Sequence, residues 1–67
     1  MDTLGEALPR EQARVRGLIT IYRSLGPIGE PTALMMEHSL QQADKAVMNG
    51  DVVEMMRVYE DLKGYAE

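Results

Sequence analysis

No cysteine occurs in the 67 residues of this chain, and that absence constrains its fold more than any residue it contains. A domain this short buries a limited share of its surface and has little stability to spare. Folds of this size are therefore usually stapled by a disulfide, a metal or a partner chain. Without cysteine there is neither a disulfide framework nor a thiolate zinc site. The single histidine, His38, excludes an imidazole cluster within one chain. Association with further copies is the staple that remains, so a homo-oligomer is expected, with two-fold contacts the commonest form. The core is constrained as well. With no Phe or Trp, and only Tyr22, Tyr59 and Tyr65 as aromatics, it must be built from aliphatic side chains and the six methionines.

Periodicity predicts an all-α fold of three helices. The first is expected from about Pro9 to Leu25, with Pro9 at its opening position, where a missing N–H costs nothing. Val15, Leu18, Ile19, Tyr22 and Leu25 form its apolar stripe. Residues 1–8 carry no strong pattern and are expected to be a flexible or partly helical lead-in to a single domain over 9–67. Gly26 and Pro27 end the first helix, and Pro31 opens the second, expected to reach Met48 on the stripe Ala33, Met36, Leu40, Ala43 and Val47. Asn49, Gly50 and Asp51 are the clearest turn signal. A residue that tolerates the left-handed conformation closes one helix and Asp51 caps the next, with Glu54 completing an Asp-x-x-Glu capping box. So short a link makes the last two helices an antiparallel hairpin. The third is expected over Val52 to Tyr65 with Val52, Met55, Met56, Tyr59 and Leu62 facing inward.

Charge narrows the function. The net charge of −4 argues against duplex nucleic acid, whose phosphates call for a basic surface. No apolar run is long enough to span a bilayer. The acidic opening Met1 to Glu6 does not read as a signal peptide, so a cytoplasmic location is expected. His38 has no cysteine partner and no nucleophile-elbow context, and the carboxylates read as solvated helix faces. No cofactor, metal or catalytic activity is expected. Four of the seven basic residues, Arg10, Arg14, Arg16 and Arg23, fall on the first helix. They predict salt bridges to the acidic second and third helices. A competing reading makes Arg16, Arg23, Gly26, Gly29 and Thr32 an anion site, with forked guanidinium donors beside a glycine loop and a helix N-terminus. The doublets Met35–Met36 and Met55–Met56 predict one residue of each pair in the core and its neighbour on a contact surface. Met35, Met36, Met55, Met56 and Tyr59 are the interface candidates.

From Tyr22 to Glu67, the pairs Gly26–Pro27 and Met36–Glu37, then Leu40, the run Ala43 to Ala46, the run Gly50 to Met55 and the pair Tyr59–Glu60 resemble short reading frames of temperate-phage and prophage genomes. The resemblance implies a small accessory protein that binds and inhibits a host factor, acting in the host cytoplasm, or an oligomer that sequesters an anionic nucleotide signal of host defence. A structural virion or assembly component is the third reading left open.

Overall fold

The computed structural model describes residues 3–65, which form three α-helices: α1 (Leu4–Ser24), α2 (Glu30–Asn49) and α3 (Val52–Lys63), with a single 3-10 turn at Gly26–Ile28 between the first two. The all-α class and the antiparallel α2–α3 hairpin are as expected. The boundaries of α1 are not. It begins at Leu4, five residues ahead of Pro9, which lies inside the helix. An interior proline removes one i→i−4 hydrogen bond and crowds the preceding turn. Burial overrides that cost here, since Ala7 and Leu8 belong to the core and Leu8 is 1% exposed. Residues 4–8 are thus the first turn and a half of a packed helix.

The core cluster is Leu8, Val15, Leu18 and Ile19 from α1, Ala33, Met36, Leu40 and Ala43 from α2, and Val58 and Leu62 from α3. The expected stripes of α1 and α2 hold apart from their last members, Leu25 and Val47, which are more than half exposed. The α3 stripe is rotated. Val58, absent from the expected set, is fully buried, whereas Val52 and Met56 are largely exposed. Apolar residues ring most of α3, so spacing alone does not choose its inner face, and the face that meets both α1 and α2 is centred between Val58 and Leu62.

Two backbone features fix the connections. At the α2–α3 turn Gly50 adopts φ 63°, and the Gly50 and Asp51 amides donate to Val47 O and Ala46 O at 3.1 and 3.0 Å, a Schellman closure. The Asp51 carboxylate accepts from the Glu54 amide at 3.1 Å. The reciprocal half of the capping box has no donor left, because the Asp51 amide already serves Ala46 O, and the Glu54 carboxylate turns to Arg57 instead. At the α1–α2 connection Gly29 lies so close to α1 that a Cβ there would sit 1.9 Å from Tyr22 O.

α3 is short. Its 12 residues cover about 18 Å at 1.5 Å per residue, against about 30 Å for α1 and α2. Its end is held by Arg14, whose Nη2 and Nη1 donate to Leu62 O at 2.8 Å and Tyr65 O at 3.0 Å, while Nε reaches Glu11 at 2.6 Å. The Tyr65 hydroxyl then crosses to α2, 2.9 Å from Ser39 Oγ and 3.2 Å from Met35 O. Beyond that level α1 and α2 continue as a two-helix tip.

Gly29→Ala is expected to lower stability by about 1–3 kcal/mol through overpacking against the α1 backbone, read by urea unfolding. Arg14→Met keeps the aliphatic stem but removes the guanidinium donors from Leu62 O, which keeps the Tyr65 amide, and from Tyr65 O, and a loss of about 1–2 kcal/mol is expected in the same assay. Unchanged midpoints would remove these contacts from the account of stability.

Candidate functional site

The residues suggested as an anion site are not assembled as one. Arg23 lies at the tip with its Nη1 2.7 Å from Glu37 Oε1 and its Nε 3.5 Å from Glu30 Oε2. Its charge is answered from α2, in line with the salt-bridge reading of the basic first helix. The Arg23 hydrogen bond and charge hold the Glu37 carboxyl below its ordinary value, against the opposing effect of its partial desolvation. Arg16 is exposed, two turns earlier on α1. Gly26 has φ 78° and ends α1. Gly29 is buried and its missing side chain admits the Tyr22 carbonyl rather than a ligand. Thr32 is half-buried in the first turn of α2. An open depression of about 580 Å³ does lie beside Arg23, Gly26, Pro27, Glu30, Pro31 and Leu34, but its polar lining is the ion pair itself.

A second polar cluster bridges α2 and α3. Arg57 donates to Glu54, to Asp61 at 2.7 Å and to Gln42 Oε1 at 2.7 Å. A guanidinium offers donors only, so the Gln42 carbonyl faces Arg57 and its amide nitrogen faces His38 Nε2 at 3.0 Å. The imidazole therefore accepts at that nitrogen and sits on an exposed helix face. Arg57 draws the Glu54 carboxyl below its ordinary value by the same combination of hydrogen bond and charge. Among the described residues every buried side-chain polar atom has a partner, and no three acidic or imidazole groups converge as ion ligands. No described helix is long and apolar enough to cross a membrane.

The feature that does stand out is apolar. Ten large hydrophobic side chains are more than half exposed among the described residues, and they gather at the two ends of a body 36 Å long. At the tip are Ile21, Leu25, Ile28, Leu34 and Met35. At the hairpin end are Val47, Met48, Val52, Val53 and Met56, with Val53 78% and Met48 84% exposed. Next to the latter, Leu4 and Ala7 of α1 and Met56 and Tyr59 of α3 line a depression of about 340 Å³.

The methionine doublets split one in, one out. Met36 is 1% exposed and cannot line a contact, and Met35 is the outward member. Met55 packs on the core beside Tyr59, and Met56 is the outward member of its pair. The interface candidates therefore divide, with Met35 at the tip and Met56 and Tyr59 at the hairpin end. The aliphatic members of both patches were not singled out from sequence. A signal for the tip exists, since residues 17–37 carry only Arg23, Glu30 and Glu37 as charges.

No protein-family model matches the chain, no curated protein is detectably similar to it, and no solved structure matches it.

Because Glu37 has a folded pKa below its unfolded value, its pair with Arg23 stabilises fully above about pH 4.5 and is lost as the pH falls through the lower, folded value. Glu37→Gln is expected to flatten the fall in melting temperature between about pH 5 and pH 3, with the difference shrinking in high salt. Superimposable pH profiles for variant and parent would show that the pair adds nothing.

Proposed function

We propose that this chain is a small non-enzymatic binding protein whose contact surface for another protein is the apolar hairpin end. The observation that carries the reading is the cluster of Val47, Met48, Val52, Val53 and Met56, each more than half exposed at one turn. Exposed apolar groups scattered singly are ordinary, but gathered and rimmed by polar residues they mark interaction sites. The methionines suit such a surface, since an unbranched thioether adapts to the shape it meets.

The rim indicates the partner's chemistry. Glu6, Asp44, Asp51, Glu54, Glu60 and Asp61 fall near this end, against Arg10, Lys45, Arg57 and Lys63; Arg57 is engaged by Glu54, Asp61 and Gln42, and Lys63 pairs with Glu60 at 3.7 Å. An apolar centre within an acidic rim fits a protein face with an apolar centre and a basic rim. The resemblance to phage and prophage frames makes a bacterial host protein the partner class, and occlusion of its basic face the mode of inhibition. Nucleotide capture ranks second because a phosphate at the tip loop would have to displace Glu30 and Glu37 from Arg23.

The test is capture from bacterial lysate on immobilised protein, comparing the parent with the double variant Val53→Lys, Met56→Lys. Both positions are exposed, so the fold should persist and circular dichroism checks it. Loss of a captured protein with this variant, together with weaker capture at high salt, is the expected result. Identical capture by parent and variant would remove the hairpin end as the contact surface.

A further inference from the structure

The tip is a separate surface with a different character, and its geometry points to a second copy of the same chain as its occupant. On α1 the line Arg14, Leu18, Ile21, Leu25 runs at spacings of four, three and four residues, so these side chains share one flank. Arg14 shows which flank it is, because it grips the end of α3. On α2 the line Gln42, Ser39, Met35 is the matching flank, since Gln42 meets Arg57 and Ser39 meets Tyr65. Below the Arg14 level α3 fills the groove between these two lines. Above it no described residue does. Ile21, Leu25 and Ile28 remain 58, 57 and 84% exposed beyond that level, and Met35, level with Tyr65, is 62% exposed.

We propose that two copies pair tip to tip about a two-fold axis, each α1–α2 hairpin occupying the groove that the other's α3 leaves empty. Three observations favour a second copy over an unrelated partner. The first is charge. Each copy carries −4, so most approaches set acidic surface against acidic surface. Residues 17–37 carry three charges, and all three are joined in the Arg23–Glu30–Glu37 cluster. The tip is therefore the face on which two identical chains meet with least repulsion. The second is area. The apolar residues at the tip expose on the order of 600 Å² per copy, so a symmetric pair that covered both tips would bury on the order of 1,200 Å², the lower edge of the range of specific interfaces.

The third is Gly17. A glycine in a helix interior costs roughly 1 kcal/mol relative to alanine, and within the chain nothing explains it, since a Cβ there would have no neighbour within 4 Å. Gly17 and Ser24 lie beside Ile21, on the outward edge of the flank that carries Arg14, Ile21 and Leu25. The Ser24 hydroxyl folds back onto Ile21 O at 2.6 Å, which leaves this strip low and free of projecting polar groups. A helix from another molecule can approach it closely. In the pair, the four tip helices form a short bundle in which α1 and α2 of each copy supply the two missing walls of the other.

The pairing is read by sedimentation equilibrium over about 5–500 μM. A mass twice the 7.5 kDa of the chain is expected. Ile21→Glu places a charge in the groove and should return the mass to that of one chain. Gly17→Gln enters open space in the single chain, so it should keep or raise helicity while weakening the pair at least tenfold. Ile28→Asp, at an 84% exposed turn position, gives a third readout should Ile21→Glu unfold. A single-chain mass throughout the range overturns the proposal. So does a dimer that survives Gly17→Gln and Ile28→Asp but is lost with Val53→Lys, which would place the contact at the opposite end. The hairpin-end variants do not touch this surface, so failure of the proposed function and failure of the pairing are distinguishable.

Discussion

Arg14 holds the fold together at one level. Its guanidinium is a rigid fork of donors, and the C-terminus of α3 presents carbonyls that no residue of α3 can satisfy. By donating to Leu62 O and Tyr65 O it fixes α3 on α1, and the partial negative charge of that helix end favours a cation there. Tyr65, held by its carbonyl, reaches Ser39 and Met35 of α2 through its hydroxyl. One side chain thus fixes where the end of the third helix docks and ties all three helices together, and at that level the molecule divides into a three-helix body and a two-helix tip. Both apolar ends follow from that division.

Much of the architecture was legible in the sequence because its signals were local. The Asn49, Gly50 and Asp51 turn needs only its own residues to form, and it appears where expected with its Asp51 cap. The α1 and α2 stripes were legible because polar residues interrupt them. What was not legible depended on neighbours. Pro9 reads as a helix start, and only the burial of Leu8 against the distant α2 and α3 carries the helix back to Leu4. Val58 escaped notice because apolar residues cover more than half of α3, all but the face of Glu54, Arg57 and Asp61, so its inner face is decided by where α1 and α2 lie. The reciprocal half of the capping box is absent because both of its groups are engaged elsewhere, the Glu54 carboxylate by Arg57. The Asp51 amide is taken by Ala46 O, a bond that the glycine turn itself creates.

The candidate site was less legible than the fold for a related reason. The arginines, the glycine loop and the methionine doublets were visible as residue types, but their roles depend on what stands opposite. Glu30 and Glu37 occupy Arg23, Tyr22 O explains Gly29, and the phase of α2 turns Met35 outward rather than Met36. Removing the arginine loop from consideration leaves two apolar ends that differ in their surroundings. One is rimmed with carboxylates and the other is nearly free of charge. The proposed pairing and the proposed partner contact would be kept apart by such a difference, since a basic surface is drawn to the first end and the second is indifferent to sign.

The Arg14 clasp also bears on how the chain folds. It joins residues 48 and 51 positions apart, about three quarters of the chain's 67 residues, whereas the α2–α3 turn closes across two linking residues. Contacts between near neighbours restrict the chain less and form sooner than contacts between its ends. The hairpin turn can therefore close while α1 is still undocked. Its bonds to Leu62 O and Tyr65 O cannot form until α3 has been laid down and its last carbonyls point outward. The same guanidinium that fixes the finished structure is thus a late arrival in its formation, and its release is the natural first step in taking the bundle apart.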